Sequence, residues 1–246
     1  MESKMMLIDA HIHTAGISHC SRVPAPKLIE VCKKDELGGI ILTNHYKSAY
    51  IHNDFREWCK RYVDEYYYTK ELGEKENIKV FFGVEVTPTC MPKNDFTIYG
   101  LSTDEVLNGP EMYNMTLEEL CDYVHSNDAL IYHAHPYRHT TPVDGTLIDG
   151  TEINCHPLYR NAEEKRVREF ADKYNLRLLC GSDYHGDTYK PHCGVMVPSE
   201  INTTEEIVDY FKKVIRPELV VAPDPDPEMT IAPGTGRPPR SLENPE

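Results

Sequence analysis

No stretch of about 18 or more apolar residues occurs in the chain. A helix needs roughly that length to cross a bilayer, so no membrane association is expected. No Cys-x-x-Cys pair occurs among the eight cysteines (Cys20, Cys32, Cys59, Cys90, Cys121, Cys155, Cys180 and Cys193). That excludes a zinc ribbon and a dithiol redox motif. Scattered through a chain of this length, the cysteines do not read as a disulfide framework; they read as separate buried thiols in a reducing cytoplasm. A catalytic cysteine has no local signature here. No run of Lys and Arg occurs, and 26 basic against 40 acidic residues give a net charge of −14. Long nucleic acid is therefore not an expected partner, because its binding needs a basic stripe. After Met-Glu-Ser-Lys no apolar signal region or small-residue cleavage site follows, which again favours a cytoplasmic location.

What is present is an ordinary globular composition, 40% hydrophobic and 27% charged over 246 residues. That length suits one α/β barrel. Seven short apolar runs read as strands buried on both faces: 5–10, 39–43, 80–86, 96–101, 129–133, 150–154 and 176–180. Helical spacing lies between them. Leu28, Val31 and Cys32 form one stripe, and Phe55, Trp58, Cys59, Tyr62 and Tyr66 a second, aromatic one that reads as core packing. Val167, Phe170, Ala171 and Tyr174 share a face within 161–174. Thr116-Leu-Glu-Glu119 and Thr203-Thr-Glu-Glu206 are capping boxes that open further helices. Strands alternating with helices imply a mainly parallel sheet with crossover helices. The short 86–96 connection reads as a hairpin that makes the barrel irregular. The expected division is a barrel over 1–221 and a flexible Pro/Gly-rich tail over 222–246.

The chemistry sits at the strand ends. In Asp9-Ala-His11-Ile-His13, residues two apart share a strand face, so His11 and His13 offer a bidentate platform. Asp9 is placed to orient a ligand from behind. His-x-His alone is common on half-exposed strands. The pattern recurs, however, in Thr43-Asn44-His45, Gly83-Val-Glu85, His133-Ala-His135-Pro136, Glu152-Ile-Asn154 and Gly181-Ser182-Asp183-Tyr-His185, with His19 in the first loop. The strand ends of a β/α barrel share one rim, so these groups converge. The donors are imidazole and carboxylate without thiolate, which suits Zn, Mn or Fe. Their number exceeds what one ion needs, so two or three divalent ions are expected. Close metal pairs suit phosphate-ester hydrolysis.

The ordered set Asp9-x-His11-x-His13, His19, Thr43-x-His45, Gly83-x-Glu85, His135-Pro136 and Gly181-Ser182-Asp183-x-His185 resembles the PHP (polymerase and histidinol phosphatase) family. The resemblance runs to about Pro198. It implies a distorted (β/α)7 TIM-like barrel and hydrolysis of a phosphate mono- or diester by metal-activated hydroxide. It also implies metal ligation by His11, His13, His19, His45, Glu85, His135, Asp183 and His185. Two departures stand out: Asn44 replaces a frequent Asp, and no histidine follows the fourth strand, where the chain reads Tyr99-Gly-Leu-Ser102. Arg138 resembles a phosphate-binding arginine of the family, and a planar guanidinium suits that role. His185 is the candidate proton donor to the leaving group. His133, two residues from His135, is expected on the same face. Arg22, His139 and His156 lie on rim loops, where a solvated role is the simpler one. The expected partner is a small phosphorylated substrate, and the sequence is silent on oligomeric state. Two other readings compete. One is an amidohydrolase-type metal hydrolase, which usually carries a bridging lysine that no strand end here supplies. The other is a non-catalytic structural or regulatory module.

Overall fold

Four strands of this chain, those that start near Gly39, Lys79, Leu130 and Arg177, begin where a helix has just been stopped. Four of the six non-glycine residues with positive φ (Glu36, Asn77, Asp128 and Asn175) lie one or two residues past a helix end. The left-handed turn there closes the helix and returns the chain to the sheet. Helix starts are equally local. Ser102, Thr116 and Thr203 form capping boxes with Glu105, Glu119 and Glu206 at α3 (Thr103–Asn108), α4 (Leu117–Ser126) and α6 (Thr204–Lys213). Asp54 caps α2 (Phe55–Lys75) by accepting from the Glu57 amide. Pro24 precedes α1 (Ala25–Lys34), and α5 spans Glu163–Tyr174.

The structure is a computed structural model that describes residues 4–52, 54–157, 163–186 and 190–223. All seven expected strands form: β1 (Met5–Ile12), β2 (Gly39–Leu42), β4 (Lys79–Val86), β5 (Asp95–Tyr99), β6 (Leu130–Ala134), β7 (Gly150–Asn154) and β8 (Arg177–Gly181). The two-residue β3 (His45–Tyr46) pairs with β4. Two strands were not anticipated, β9 (Gly194–Pro198) and β10 (Leu219–Val220). The sheet order is β10-β9-β1-β2-β4-β5-β6-β7-β8. Pairing is parallel except that β5 runs against both β4 and β6, and β9 runs against β1 and β10.

The result is an α/β fold with a nearly closed, barrel-shaped sheet. Its seam is closed in two ways. At the upper end β1 meets β8 directly, since the Asp183 amide donates to the His11 carbonyl at 2.8 Å and Ile12 bridges Tyr184. At the lower end β9 pairs with Met5–Ile8 and sends Val195 and Val197 into the interior core with Ile8, Ala10, Ile41, Phe81, Tyr99 and Leu179. A second, larger core fills the space between the sheet and α1, α2, α4 and α5. No helix among the described residues is long and apolar enough to cross a membrane. The expected tail lies outside the described residues from 224 onward.

Candidate metal centre

A break in β1 aims the first two ligands. Its pairing with β2 steps from Asp9↔Ile40 to Ile12↔Leu42, three residues against two. That is a β-bulge, which shifts the side-chain phase by one. Before it, Ile8 and Ala10 face the interior core. After it, His11 and His13 take the inward face, where they meet Glu85 of β4 and Asp183 beyond β8. Asp9 faces outward, to the Lys190 ammonium at 3.0 Å. It still acts behind His11 as expected: its carboxylate accepts from the amides of His11 (3.2 Å) and Ser182 (2.9 Å), tying the histidine strand to the Asp183 strand.

Each imidazole of the pair is held by its outer nitrogen. His11 Nδ1 lies 2.9 Å from the Glu152 carboxylate. His13 Nδ1 faces Ser18 Oγ at 3.2 Å, and that hydroxyl donates to Asn44 Oδ1 at 2.9 Å. Asn44, where Asp is frequent, thus organises the first loop. Both arrangements place the proton on Nδ1 and the lone pair on Nε2. The two Nε2 atoms then face each other at 3.0 Å. Around them lie Glu85 Oε1 at 3.3 Å from His11 and Asp183 Oδ1 at 3.1 Å from His13. His45 Nδ1 reaches Glu85 Oε2 at 2.6 Å, and His135 Nε2 reaches Glu85 Oε1 at 3.2 Å. His185 packs its ring 4.4 Å from that of His13.

Three groups of donors, each gathered within 4.8 Å, result: His11–His13–Asp183, His11–Glu85–His135 and His13–His45–His185. They share members, which is how adjacent ions share ligands. Glu85 Oε2 and Asp183 Oδ1 are buried acceptors with no aligned hydrogen-bond donor among the described residues. Buried acceptors and facing imidazole lone pairs without donors are costly unless a cation stands between them. The donor set fits a borderline divalent metal.

The remaining expected residues fall differently. His19 is exposed and stacks on Tyr50 at 4.5 Å, outside all three groups. Arg138 is buried and uses its guanidinium on Asp183 Oδ2 (2.5 Å) and Asn154 Oδ1 (2.7 Å). It holds the aspartate, a role different from the substrate contact expected of it. His133 does not share the face of His135. It points outward and stacks on Phe96 at 5.1 Å, and burial lowers its pKa to about 3. The chain turns at His135 itself, with φ +31°, and Asp183 has φ +51°. Among the described non-glycine residues, these two rim positions are the ones with positive φ that follow strands, and strained backbone of this kind collects at functional sites. Ser102 is nowhere near the rim: it caps α3. Because β5 is antiparallel, its rim end is Asp95, whose Oδ2 lies 3.7 Å from His135 Nε2 while Thr87 donates to Oδ1 at 2.5 Å. Reading every strand's C-terminal end as the rim end hid Asp95. The short 86–96 connection was the signal for it.

Charge in the cluster is strongly coupled. Burial alone would lower the pKa of His11, but Glu152, Glu85 and Asp183 outweigh it and raise it well above the ordinary value. Burial likewise opposes protonation of His45, yet Glu85 lifts it to about 10. His185 is raised by Asp183 against its burial. Glu85 and Asp183, despite burial, are held well below the carboxylate range by His45 and Arg138 respectively. Without metal, then, His45 carries a proton at neutral pH, and the carboxylates push His11 and His185 in the same direction. A ligating imidazole must be neutral, so cation binding displaces such a proton. Adding Zn2+ or Mn2+ to metal-free protein at pH 7.5 is expected to release protons into weakly buffered solution, that of His45 among them. Affinity should climb with pH through about 10, where His45 gives up its proton. Uptake with no proton release would contradict this ligand set.

No protein-family model matches the chain, and no curated protein matches it in sequence. Solved structures do match. One is a two-domain protein from Bacteroides vulgatus ATCC 8482 containing a predicted PHP-like metal-dependent phosphoesterase; identity is 16% and the TM-score 0.63. The match covers 89% of this chain and 66% of that one, just under two thirds of its length. Another is PsfC from Pseudomonas syringae PB-5123, with 18% identity, TM-score 0.59 and coverage of 83% and 88%. At these identities the likeness is one of fold.

Proposed function

We propose that this barrel is a metal-dependent phosphoesterase that hydrolyses a small phosphate mono- or diester. One observation carries the reading: His11 and His13 are pinned through Nδ1 so that both Nε2 atoms converge, with Glu85 and Asp183, on one buried volume. Two or three divalent ions of the Zn, Mn or Fe class held there would supply Lewis-acid charge and a water of lowered pKa at a phosphoryl group. The likeness in fold to a protein containing a predicted PHP-like phosphoesterase supports the same reading.

The chain's own residues divide the work. Glu152 fixes the tautomer of His11, and Arg138 fixes the rotamer of Asp183. Glu85 lies between His11, His45 and His135 and is the natural bridge. His185 sits at the outer edge, its Nδ1 donating to the Asp183 carbonyl and its Nε2 directed at Cys20 Sγ at 3.1 Å. Where no ion takes His185, its protonated Nε2 can pass a proton to a leaving alkoxide; as a ligand it would be neutral and would not. Asp95, 3.7 Å from His135 Nε2, stands close enough to serve an ion at the margin of the cluster.

The amidohydrolase alternative wants a lysine at the metal. The buried lysine found here, Lys190, is committed to Asp9 and Asp35 on the outer face. The decisive experiment is phosphate release from a broad panel of phosphomonoesters and diesters after reconstitution with Mn2+, Zn2+ or Fe2+. Turnover of at least one ester is expected, abolished by chelator. Hydrolysis of amides alone, or of nothing in the panel, would overturn the proposal. Arg138→Ala should then lower kcat by about 10- to 100-fold through the loosened aspartate, the usual cost of removing a group behind a ligand. A pure rise in KM would return Arg138 to the role of substrate contact.

A further inference from the structure

The cysteines are not all separate. Cys155 follows β7, Cys180 lies within β8 and Cys193 immediately precedes β9, yet their three Sγ atoms lie within 4.8 Å of one another. Cys155 and Cys180 are 3.6 Å apart. All three side chains are buried. Cys180 alternates with Leu179, which belongs to the interior core, so the trio lies on the outer face of the sheet, apart from the imidazole cluster. Thiolates at about 2.3 Å from a zinc ion sit roughly 3.8 Å from one another in a tetrahedral shell. The trio therefore stands near ligand spacing already. A fourth, weaker donor faces it, the Val220 carbonyl of β10, 3.5 Å from Cys180 Sγ.

We infer that Cys155, Cys180 and Cys193 form a second, all-sulfur site for a thiophilic cation, Zn2+ or Cu+, that clips β7, β8 and β9 together behind the Asp183 strand. Soft thiolate ligands select those ions, whereas the imidazole and carboxylate cluster accepts harder ones. Binding replaces each thiol proton that is lost by a metal–sulfur bond, the protons passing to solvent. Mutual hydrogen bonding and burial raise the pKa of Cys180, and burial raises that of Cys193. Cys180 and Cys193 are thus neutral thiols that sit in the core until an ion arrives. The inference is independent of what the barrel interior hydrolyses.

Cobalt(II) reports on it directly, because thiolate ligation gives an intense near-ultraviolet charge-transfer band that nitrogen and oxygen donors do not. Metal-free full-length protein titrated with Co2+ should show that band. It should vanish in Cys155→Ser and in Cys193→Ser and persist in Cys20→Ser, whose exposed thiol lies beside His185. Competition with Zn2+ and with Cu+ then ranks the two ions. Should the serine variants fail to fold, X-ray absorption on zinc-loaded wild-type protein decides, by showing sulfur scatterers at about 2.3 Å. Absence of the band and of sulfur scatterers in wild-type protein, or a band abolished by Cys20→Ser, would overturn the site.

Discussion

Asp183→Asn is expected to cut phosphoester turnover by about a thousandfold or more, roughly 4 kcal/mol of transition-state stabilisation. The substitution is nearly isosteric, and the backbone bond from residue 183 to the His11 carbonyl does not depend on the side chain. What is lost is charge. Oδ1 faces His11 and His13, and Oδ2 answers the buried Arg138 guanidinium. An asparagine oxygen can still accept from Arg138, but the guanidinium loses its paired charge and keeps the attraction of Glu152 and Glu85, so the cost stays below the about 3–5 kcal/mol of a buried pair broken outright. Turnover and the urea midpoint should therefore fall together. The measurement is kcat and metal content beside a urea curve on the same preparation. Normal kinetics in this variant would remove Asp183 from the site. His11→Ala separates the two effects, because it deletes a ligand and leaves the Arg138 pair in place.

The second large effect lies outside the barrel. Lys190→Met should destabilise the fold by about 3–5 kcal/mol. The ammonium is buried and reaches Asp9 Oδ2 and Asp35 Oδ2 at 3.0 Å each. Removing it leaves the fully buried Asp9 carboxylate without a counter-charge, though Ser182 still donates to it. Adding Asp9→Asn to Lys190→Met should restore part of the loss, because the orphan charge is then gone, and a double-mutant cycle isolates that coupling. A shift of the denaturation midpoint below about 1 kcal/mol for Lys190→Met would mean that the triad is hydrated in solution. Since Asp9 also accepts from the His11 amide, Asp9→Asn is expected to weaken metal binding even where stability is recovered.

The sequence told more about the ring of strands than about the direction and phase within each strand. Seven strands and their helices were legible because continuous apolar runs and capping boxes are local signals. β9 was not: Gly-Val-Met-Val-Pro is five residues long and acquires its identity by filling the seam beside β1. The ligand candidates were legible because His, Glu and Asp recur at strand ends, and the structure gathers all of them except His19 into shared groups. Phase was the harder matter. His133 and His135 are two apart, which on a regular strand means one face, but the positive φ at His135 turns the chain and sends the two rings to opposite sides. Asp95 escaped notice because its strand is reversed; Arg138 was noticed but expected on substrate, because a motif cannot tell which carboxylate a guanidinium will meet. The three thiols of Cys155, Cys180 and Cys193 are separated by 25 and 13 residues in sequence, so only the sheet order reveals them as neighbours.

The bulge in β1 sets foldability against chemistry over two or three residues. Without it β1 would be one strand of uniform parity, every odd residue outward, with a continuous ladder to β2 and more backbone hydrogen bonds. Deleting Ala10 should therefore be tolerated by the sheet better than most single deletions in a buried strand. The deletion would leave Asp9 outward and His11 and His13 inward, because it removes the one residue by which the two halves of the strand fall out of phase. The chain keeps its interruption where two imidazoles must change sides: with every residue retained, a regularised β1 would turn His11 and His13 outward and exchange the candidate metal centre for a better barrel.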